Sequence, residues 1–440
     1  MFTHPLAFLE RMKRILSATK DSYDEFLQSL NKTEQKGIYV NTNKIDLQNF
    51  IKLADFNLEK ILYEKNGFYI DNIKLGHHPL HHAGAFYVQD PSAMFTVNAH
   101  KFNGDEKVLD MCASPGGKTI QIANRIPNGI LVSNEINFSR AKILYSNVER
   151  MGLKNVIVAN DTPKNISSAY ANCFDVVLLD TPCSGEGMFR RGEEVVNEWN
   201  EGLIKLCAER QKEIFKCADI CLKTNGTLIY STCTYAYEEN EGLVNFILSN
   251  YDYELVEILS PENFTRGIDM PEVVRLYPHK VRGEGQFVAV LKKKKENTLL
   301  PVRSQKLKND KNATEFIKNN LNIQLNIKNY KNFSYYVLDE DMIKQGVNYL
   351  SVGVKVGEMR KNVFVPDHFL FSAFGKFFNQ KLNLKVSDER VEKYLKGEEI
   401  STNLREGYGS ILIENCPLGG FKITKNGFKN HYPKGLRRLK

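Results

Sequence analysis

"VLDMCASPGGKTIQIA", residues 108–123, runs from an apolar strand through a turn with two adjacent glycines into a helix. Such a turn lets backbone amides and a helix N-terminus approach a polar or anionic ligand closely. Different ligands demand different residues of it. A phosphate-binding loop requires G-x-x-x-x-G-K-[ST]. Gly117, Lys118 and Thr119 satisfy its end, but Cys112 stands where the first glycine belongs. The dinucleotide pattern G-x-G-x-x-G is absent. An S-adenosylmethionine loop needs only a tight turn after the first strand and an acid near the end of the second. Glu135, in "LVSNEINFSR", lies 18 residues past Gly117, where a carboxylate can take ribose hydroxyls. Asp161 follows a third strand, "VIVAND", and is placed to reach an adenine. The remaining reading is a turn that merely caps a helix.

Outward from this turn, residues 107–290 alternate apolar strands with amphipathic helices. Strands are expected at 107–111, 129–134, 155–160, 174–180 and 226–232, with helices at 118–125, 138–151 and 203–223. "YELVEI" and "GQFVAVLKK" are candidates for a closing strand pair. That rhythm predicts an α/β fold, Rossmann-like, with a doubly wound and mostly parallel sheet. Residues 1–75 read as a small mixed α/β extension, 76–295 as the main domain and 296–314 as a basic linker. Residues 315–440 read as a separate α+β unit with strands in "YGSILIE" and "LGGFKIT".

The chain has 440 residues, 42% of them hydrophobic, and a net charge of +8. No stretch approaches the ~18 apolar residues of a membrane span, and the N-terminus lacks a signal-peptide core. A cytosolic location is expected, with no membrane partner. The eight cysteines include no C-x-x-C pair, against both a disulfide framework and a zinc module. The positive charge is local. Residues 416–440 carry seven Lys or Arg and no acid, and 291–311 carry eight bases against two acids. Such patches suit a polyanion. The histidines at 77, 78, 81 and 82 have no carboxylate or cysteine nearby to complete a metal site, so they read as loop and packing residues and no metal is expected. Nothing resembles a helical dimer seam, so a monomer is expected.

Two cysteines occupy similar places. "LLDTPCSGEG" (178–187) and "LIYSTCTY" (228–235) each put a thiol just past an apolar run. In a doubly wound sheet, ligands bind at the carboxyl ends of the strands, so Asp180, Cys183 and Cys233 should converge beside the cofactor. Cys207, Cys217 and Cys221 have core-facing helical spacing instead. A thiolate beside a methyl donor points to carbon 5 of a pyrimidine. Addition of sulfur to carbon 6 makes carbon 5 nucleophilic, and a carboxyl group hydrogen-bonded at ring nitrogen 3 stabilises the adduct. One thiol would attack and the other assist release. Chemistry alone does not order them.

In that order, "DMCASPGGKT", "DTPCSGEGMF" and "STCTY" resemble the Sun/Nol/Nop family of RNA cytosine-5 methyltransferases. "FYVQDPSAM" (86–94) and "SRAKILYSNVERMG" (139–152) resemble further segments of that family. The resemblance implies a class I methyltransferase fold and S-adenosylmethionine as cofactor. It implies Cys233 as nucleophile, Cys183 as the release thiol and Asp180 facing the base. The cofactor positions implied are Cys112, Ala113, Ser114, Pro115, Gly116, Gly117, Lys118, Glu135, Arg140, Asp161 and Asp180. "LGHHPLHHAGAFYVQDPSAM" and "LGGFKITKNGFKNHYPKGLRR" resemble the bacterial F-type branch that modifies small-subunit (16S) ribosomal RNA. In that branch the tail ends in a PUA-like RNA-binding module. Phe428, His431, Tyr432, Lys434, Arg437 and Arg438 suit stacking on bases and pairing with phosphate. The partner expected is therefore RNA, reached as an unstacked cytosine. Three rivals stand beside this reading: a transfer-RNA methyltransferase, a nucleotide hydrolase using Gly117–Thr119, and a non-catalytic RNA-binding assembly factor.

Overall fold

The computed structural model describes residues 4–71, 73–295 and 298–438. At its centre stand five parallel strands: β1 (Lys107–Asp110), β2 (Ile130–Asn134), β3 (Val156–Ala159), β4 (Phe174–Asp180) and β5 (Leu222–Thr232). Runs such as Val176–Leu179 and Val156–Ala159 are buried on both faces, as a parallel sheet between helical layers requires. The order β3-β2-β1-β4-β5 makes β1 the point from which the chain winds outward in both directions.

Four more strands extend the sheet beyond β5: β6 (Tyr253–Val256), β7 (Thr265–Gly267), β8 (Met270–Leu276) and β9 (Gln286–Lys293). β9 runs antiparallel to β5, with Phe287 opposite Thr232. β6 and β8 both pair with β9, so the expected closing pair forms. β8 escaped the sequence reading because Pro271 and Glu272 interrupt its apolar run.

On the opposite edge, β10 (Tyr349–Ser351) pairs antiparallel with β3. The region past residue 315, expected to stand apart, therefore joins the central sheet. An open strand edge offers unpaired backbone groups. Here they are taken up: Asn160 N–H donates to Asn348 O (2.9 Å) and Asn348 N–H to Asp161 Oδ2 (3.0 Å). Nor is the basic run before it a free tether. Val302 N–H donates to Ala169 O and Gln305 N–H to Ile343 O. Residues 296 and 297 of that run lie outside the described residues.

The N-terminal helices Leu6–Thr19 and Tyr23–Leu30 set Phe8 against Phe189 (4.7 Å between ring centroids) and Phe26 against Tyr235 (5.4 Å). They thus cover the backs of both cysteine loops. A four-stranded sheet follows, and its last strand, Phe86–Gln89, lies past residue 75. The four-stranded sheet of residues 381–430 shares a core with it, in which Ile38 and Phe86 meet Tyr394, Phe421 and Phe428.

Three parts of the chain meet at Gly152, which closes the helix Phe138–Met151 with φ +64°. A Cβ there would lie 2.6 Å from Ser372 O and 2.7 Å from Lys44 Cε. Gly152→Ala is expected to cost about 1–3 kcal/mol, from strain and contact together. Thermal unfolding checks this, and an unchanged midpoint would contradict it.

Candidate active site

The loops singled out in the sequence all leave the central sheet at carboxyl ends of strands. They enclose a cavity of about 1140 Å³, whose far wall comes from Glu34–Lys36 and Tyr87–Asp90 of the N-terminal part. β4 and β5 are neighbours in register, Asp180 opposite Ser231. The next residues of each strand therefore emerge side by side. Cys183 Sγ lies 3.0 Å from Cys233 Sγ, and both are free thiols. Gly187 N–H donates to Cys233 O (2.8 Å). A Cβ on Gly187 would lie 2.7 Å from that oxygen, so glycine is what lets the loops touch. Between them, Asp180 accepts hydrogen bonds from Lys118 Nζ (2.7 Å) and Ser231 Oγ (2.7 Å), which fix its carboxylate at the cavity wall.

At the other end of the cavity lies the glycine turn. Gly116 has φ +111°, a left-handed conformation that favours glycine, and precedes the helix Gly117–Arg125. A Cβ on Gly117 would lie 3.0 Å from Gln89 Cδ and 3.1 Å from Tyr87 Cε1. Glu135 is buried; it accepts Asn137 N–H (2.9 Å) and lies 3.6 Å from Arg140 Nε. Arg140 Nη2 in turn donates to Ser114 O (3.0 Å). Cys112, Ala113, Ser114, Pro115, Gly117, Lys118, Glu135 and Arg140 all line the cavity.

Three comparisons with known proteins bear on this site. The family described as "16S rRNA methyltransferase RsmB/F" matches residues 97–292. The "N-terminal domain of 16S rRNA methyltransferase RsmF" matches 5–91, and the "Methyltransferase RsmF PUA domain" matches 381–438. Among curated proteins, a Vibrio parahaemolyticus "Ribosomal RNA small subunit methyltransferase F" is 30% identical, over 99% of this chain and 98% of that protein. The chain belongs to the 16S rRNA methyltransferase RsmB/F family. A Shigella boydii protein of the same description is 29% identical, over 99% of this chain and 96% of its own. Among solved structures, the protein PH0851 has a TM-score of 0.60 at 26% identity, covering 66% of each chain. NSun6 from Pyrococcus horikoshii, solved with SFG, has a TM-score of 0.60 at 23% identity, covering 66% of this chain and 99% of that one.

With RsmB/F membership the central sheet is that of a class I, S-adenosylmethionine-dependent methyltransferase, and the C-terminal region ends in a PUA-like domain. The residues present fit the cofactor. A glycine cradle that side chains would fill, a buried carboxylate and a helix N-terminus face one cavity. Two expected cofactor positions are placed otherwise. Gly116 shapes the turn without lining the cavity. Asp161 is not brought to the wall either: its carboxylate is taken by Thr162 N–H (2.8 Å), Asn165 Nδ2 (2.8 Å) and Asn348 N–H (3.0 Å), which secure β10.

The tail also needs correction. Phe428 (7% exposed) and Tyr432 (3%) are core residues and cannot stack on bases. Phe428 packs on Phe421, and Tyr432 Oη lies 3.0 Å from His82 Nδ1. Their aromatic surface is worth more buried than wet. Arg437 Nε donates to Tyr432 O (3.3 Å) and Arg438 pairs with Glu392. His431 is half-buried beside Tyr408, and Lys434 is exposed. Three of the four upstream histidines pack as read: His78 lies 3.2 Å from Asp55 Oδ1, His81 meets Phe86, and His82 meets Tyr432. Cys207 and Cys221 are buried as expected, whereas Cys217 reaches the cavity margin.

Burial sets the electrostatics. It pushes the Asp110 carboxyl up to about 7, although Thr119 Oγ1 donates to it (2.7 Å). The bond to Cys233, followed by burial, pushes the Cys183 thiol well above its ordinary value. Either sulfur can be the donor in the S–H···S contact. Beneath the thiols lie residues that the sequence reading passed over. Glu186 accepts Thr234 Oγ1 (2.9 Å), Tyr235 N–H (3.0 Å) and Trp199 Nε1 (3.0 Å). Ser184 Oγ lies 2.8 Å from Thr234 Oγ1. Their one sequence signal was position: Glu186 follows Cys183 by three residues.

Thr234→Val removes the hydroxyl that joins the two loops and leaves Glu186 and Ser184 short of a partner. A loss of about 1–3 kcal/mol is expected. Denaturation of the variant against the parent measures it, and equal stability would show the hydroxyl to be dispensable.

Proposed function

We propose that the protein is a cytoplasmic enzyme that methylates carbon 5 of a cytosine in small-subunit (16S) ribosomal RNA through a covalent bond between Cys233 and carbon 6. The observation that carries this reading is the pair of thiols 3.0 Å apart on the wall that also holds Asp180. Family membership supports ribosomal RNA as the substrate.

The residues divide the work. The glycine turn, Glu135 and Arg140 would hold S-adenosylmethionine, which would supply an electrophilic methyl group and leave as S-adenosylhomocysteine. The target cytosine must leave its stack to enter the cavity. Cys233, the cysteine of the T-C motif in "STCTY", acts as the nucleophile in its thiolate form. Its attack forms the S–C6 bond and moves an electron pair toward carbon 5, which takes the methyl group. Ring nitrogen 3 takes a proton from solvent as the adduct forms and donates it in a hydrogen bond to Asp180, held by Lys118 and Ser231. That bond steadies the adduct until the proton is given up on release. Water then takes the proton from carbon 5, and Cys183 assists the release of Cys233. The electron pair left at carbon 5 re-forms the C5=C6 bond as the C6–S bond breaks, returning Cys233 as thiolate.

In this reading the N-terminal part through the strand Phe86–Gln89 and the C-terminal module guide the RNA. Lys36, Lys164, Arg191 and Arg210, which line the cavity, meet its phosphates.

The test is methyl transfer to small subunits from an unmethylated strain, with labelled donor and site mapping. Label is expected at carbon 5 of cytosine, reduced at least ~10³-fold by Cys233→Ala. Cys183→Ala is expected to accumulate RNA-linked protein. Activity that survives Cys233→Ala but is lost in Cys183→Ala would reverse the two roles. No transfer to any ribosomal RNA would overturn the reading.

A further inference from the structure

One carboxylate beneath the thiols is unused by this chemistry. Glu239 closes the turn Tyr237–Glu239 after β5 and is fully buried. It accepts Ser184 N–H (3.1 Å to Oε2, 3.4 Å to Oε1) and the Gln211 side-chain amide (2.8 Å). Gln211 Nε2 also donates to Pro182 O (3.0 Å). The residues on either side of Cys183 are thus held by one carboxylate–amide pair. Tyr230 fixes that pair, its hydroxyl 2.5 Å from Glu239 O and 3.2 Å from Gln211 Oε1.

The charges around Glu239 are one-sided. Among the described residues no salt bridge reaches it. The ionisable groups that face it are Glu186, the thiols of Cys183 and Cys207, and the Tyr230 phenol. Arg11, which faces Glu186, pairs instead with Glu238 and Glu201. A buried carboxylate with amide donors but no counter-charge is expensive to keep unless its charge has a use.

We propose that Glu239 is a positioning residue for the thiol pair: it clamps the Cys183 loop, and its negative charge holds the proton shared by the two sulfurs on Cys183, leaving Cys233 as nucleophile. One proton between two sulfurs 3.0 Å apart has two placements. A carboxylate bonded to the residue next to Cys183 disfavours a thiolate there and so selects the placement that frees Cys233. Burial pushes the Glu239 carboxyl up to about 7. Its charge, and with it the bias, is present above that pH and fades as pH falls through it.

The inference rests on the thiol roles proposed above, but its test needs neither RNA nor methyl donor. Full-length protein is alkylated with iodoacetamide from pH 6 to 9, and labelling of each cysteine is read by mass spectrometry. In the wild type, Cys233 is expected to react before Cys183 above pH 7. Glu239→Gln keeps an oxygen for Ser184 N–H and removes the charge. It is expected to shift the Cys233-to-Cys183 labelling ratio about tenfold toward Cys183, the equivalent of about one pH unit. Glu239→Asp, which keeps the charge, is expected to restore the preference for Cys233. Thermal midpoints measured alongside separate loosening of the loop from loss of charge. A ratio in Glu239→Gln equal to wild type at every pH, equal slowing of both thiols, or a wild type in which Cys183 reacts first would overturn the inference. An unchanged ratio would leave the proposed methylation standing, whereas absence of methyl transfer by the wild type would not alter the labelling result.

Discussion

The pairing of β4 with β5 is the constraint on which the rest depends. With Asp180 opposite Ser231, two loops distant in sequence must emerge together, and their thiols end 3.0 Å apart. At that distance the sulfurs share a hydrogen bond, so their protonation belongs to the pair. What surrounds them keeps this arrangement in register: a glycine at 187 that lets the loops touch, the Ser184–Thr234–Glu186 chain, and the Gln211–Glu239 clamp. These bonds are buried, where a missing partner costs most.

The same economy of contacts ties the outer parts of the chain to the site. The N-terminal helices shield the backs of the cysteine loops, and Glu34–Lys36 complete the cavity wall. On the other flank, β10 closes the edge of β3, and Asp161 spends its carboxylate on that junction. The C-terminal sheet rests on the N-terminal one through a common core. The cavity is thus framed by residues from well-separated stretches of sequence.

Much of the centre was legible in the sequence because it obeys local rules. "FDVVLLD" is a strand over the residues expected, and the helix at 138–151 matches its predicted limits. Apolar runs and helical periodicity report burial directly. The cysteines could be placed at strand ends because strand ends were visible. Other features arise only on folding. β10 is three residues long and carries no alternation to read. Glu239 and Gln211 lie far from Cys183 in sequence and meet its loop only in space. Phe428 and Tyr432 show the converse failure. Aromatic residues among lysines look alike on a surface and beneath one, and only the shared core decides between them.

The covalent step is open to direct measurement. Ribosomal RNA carrying 5-fluorocytidine offers carbon 5 a fluorine that cannot leave as a proton, so an adduct formed during methyl transfer persists. Digestion and mass spectrometry of the trapped complex identify the cysteine that carries the nucleotide. Attachment to Cys233, dependent on S-adenosylmethionine, is the result expected. Attachment to Cys183, or no adduct with RNA and methyl donor both bound, would contradict it.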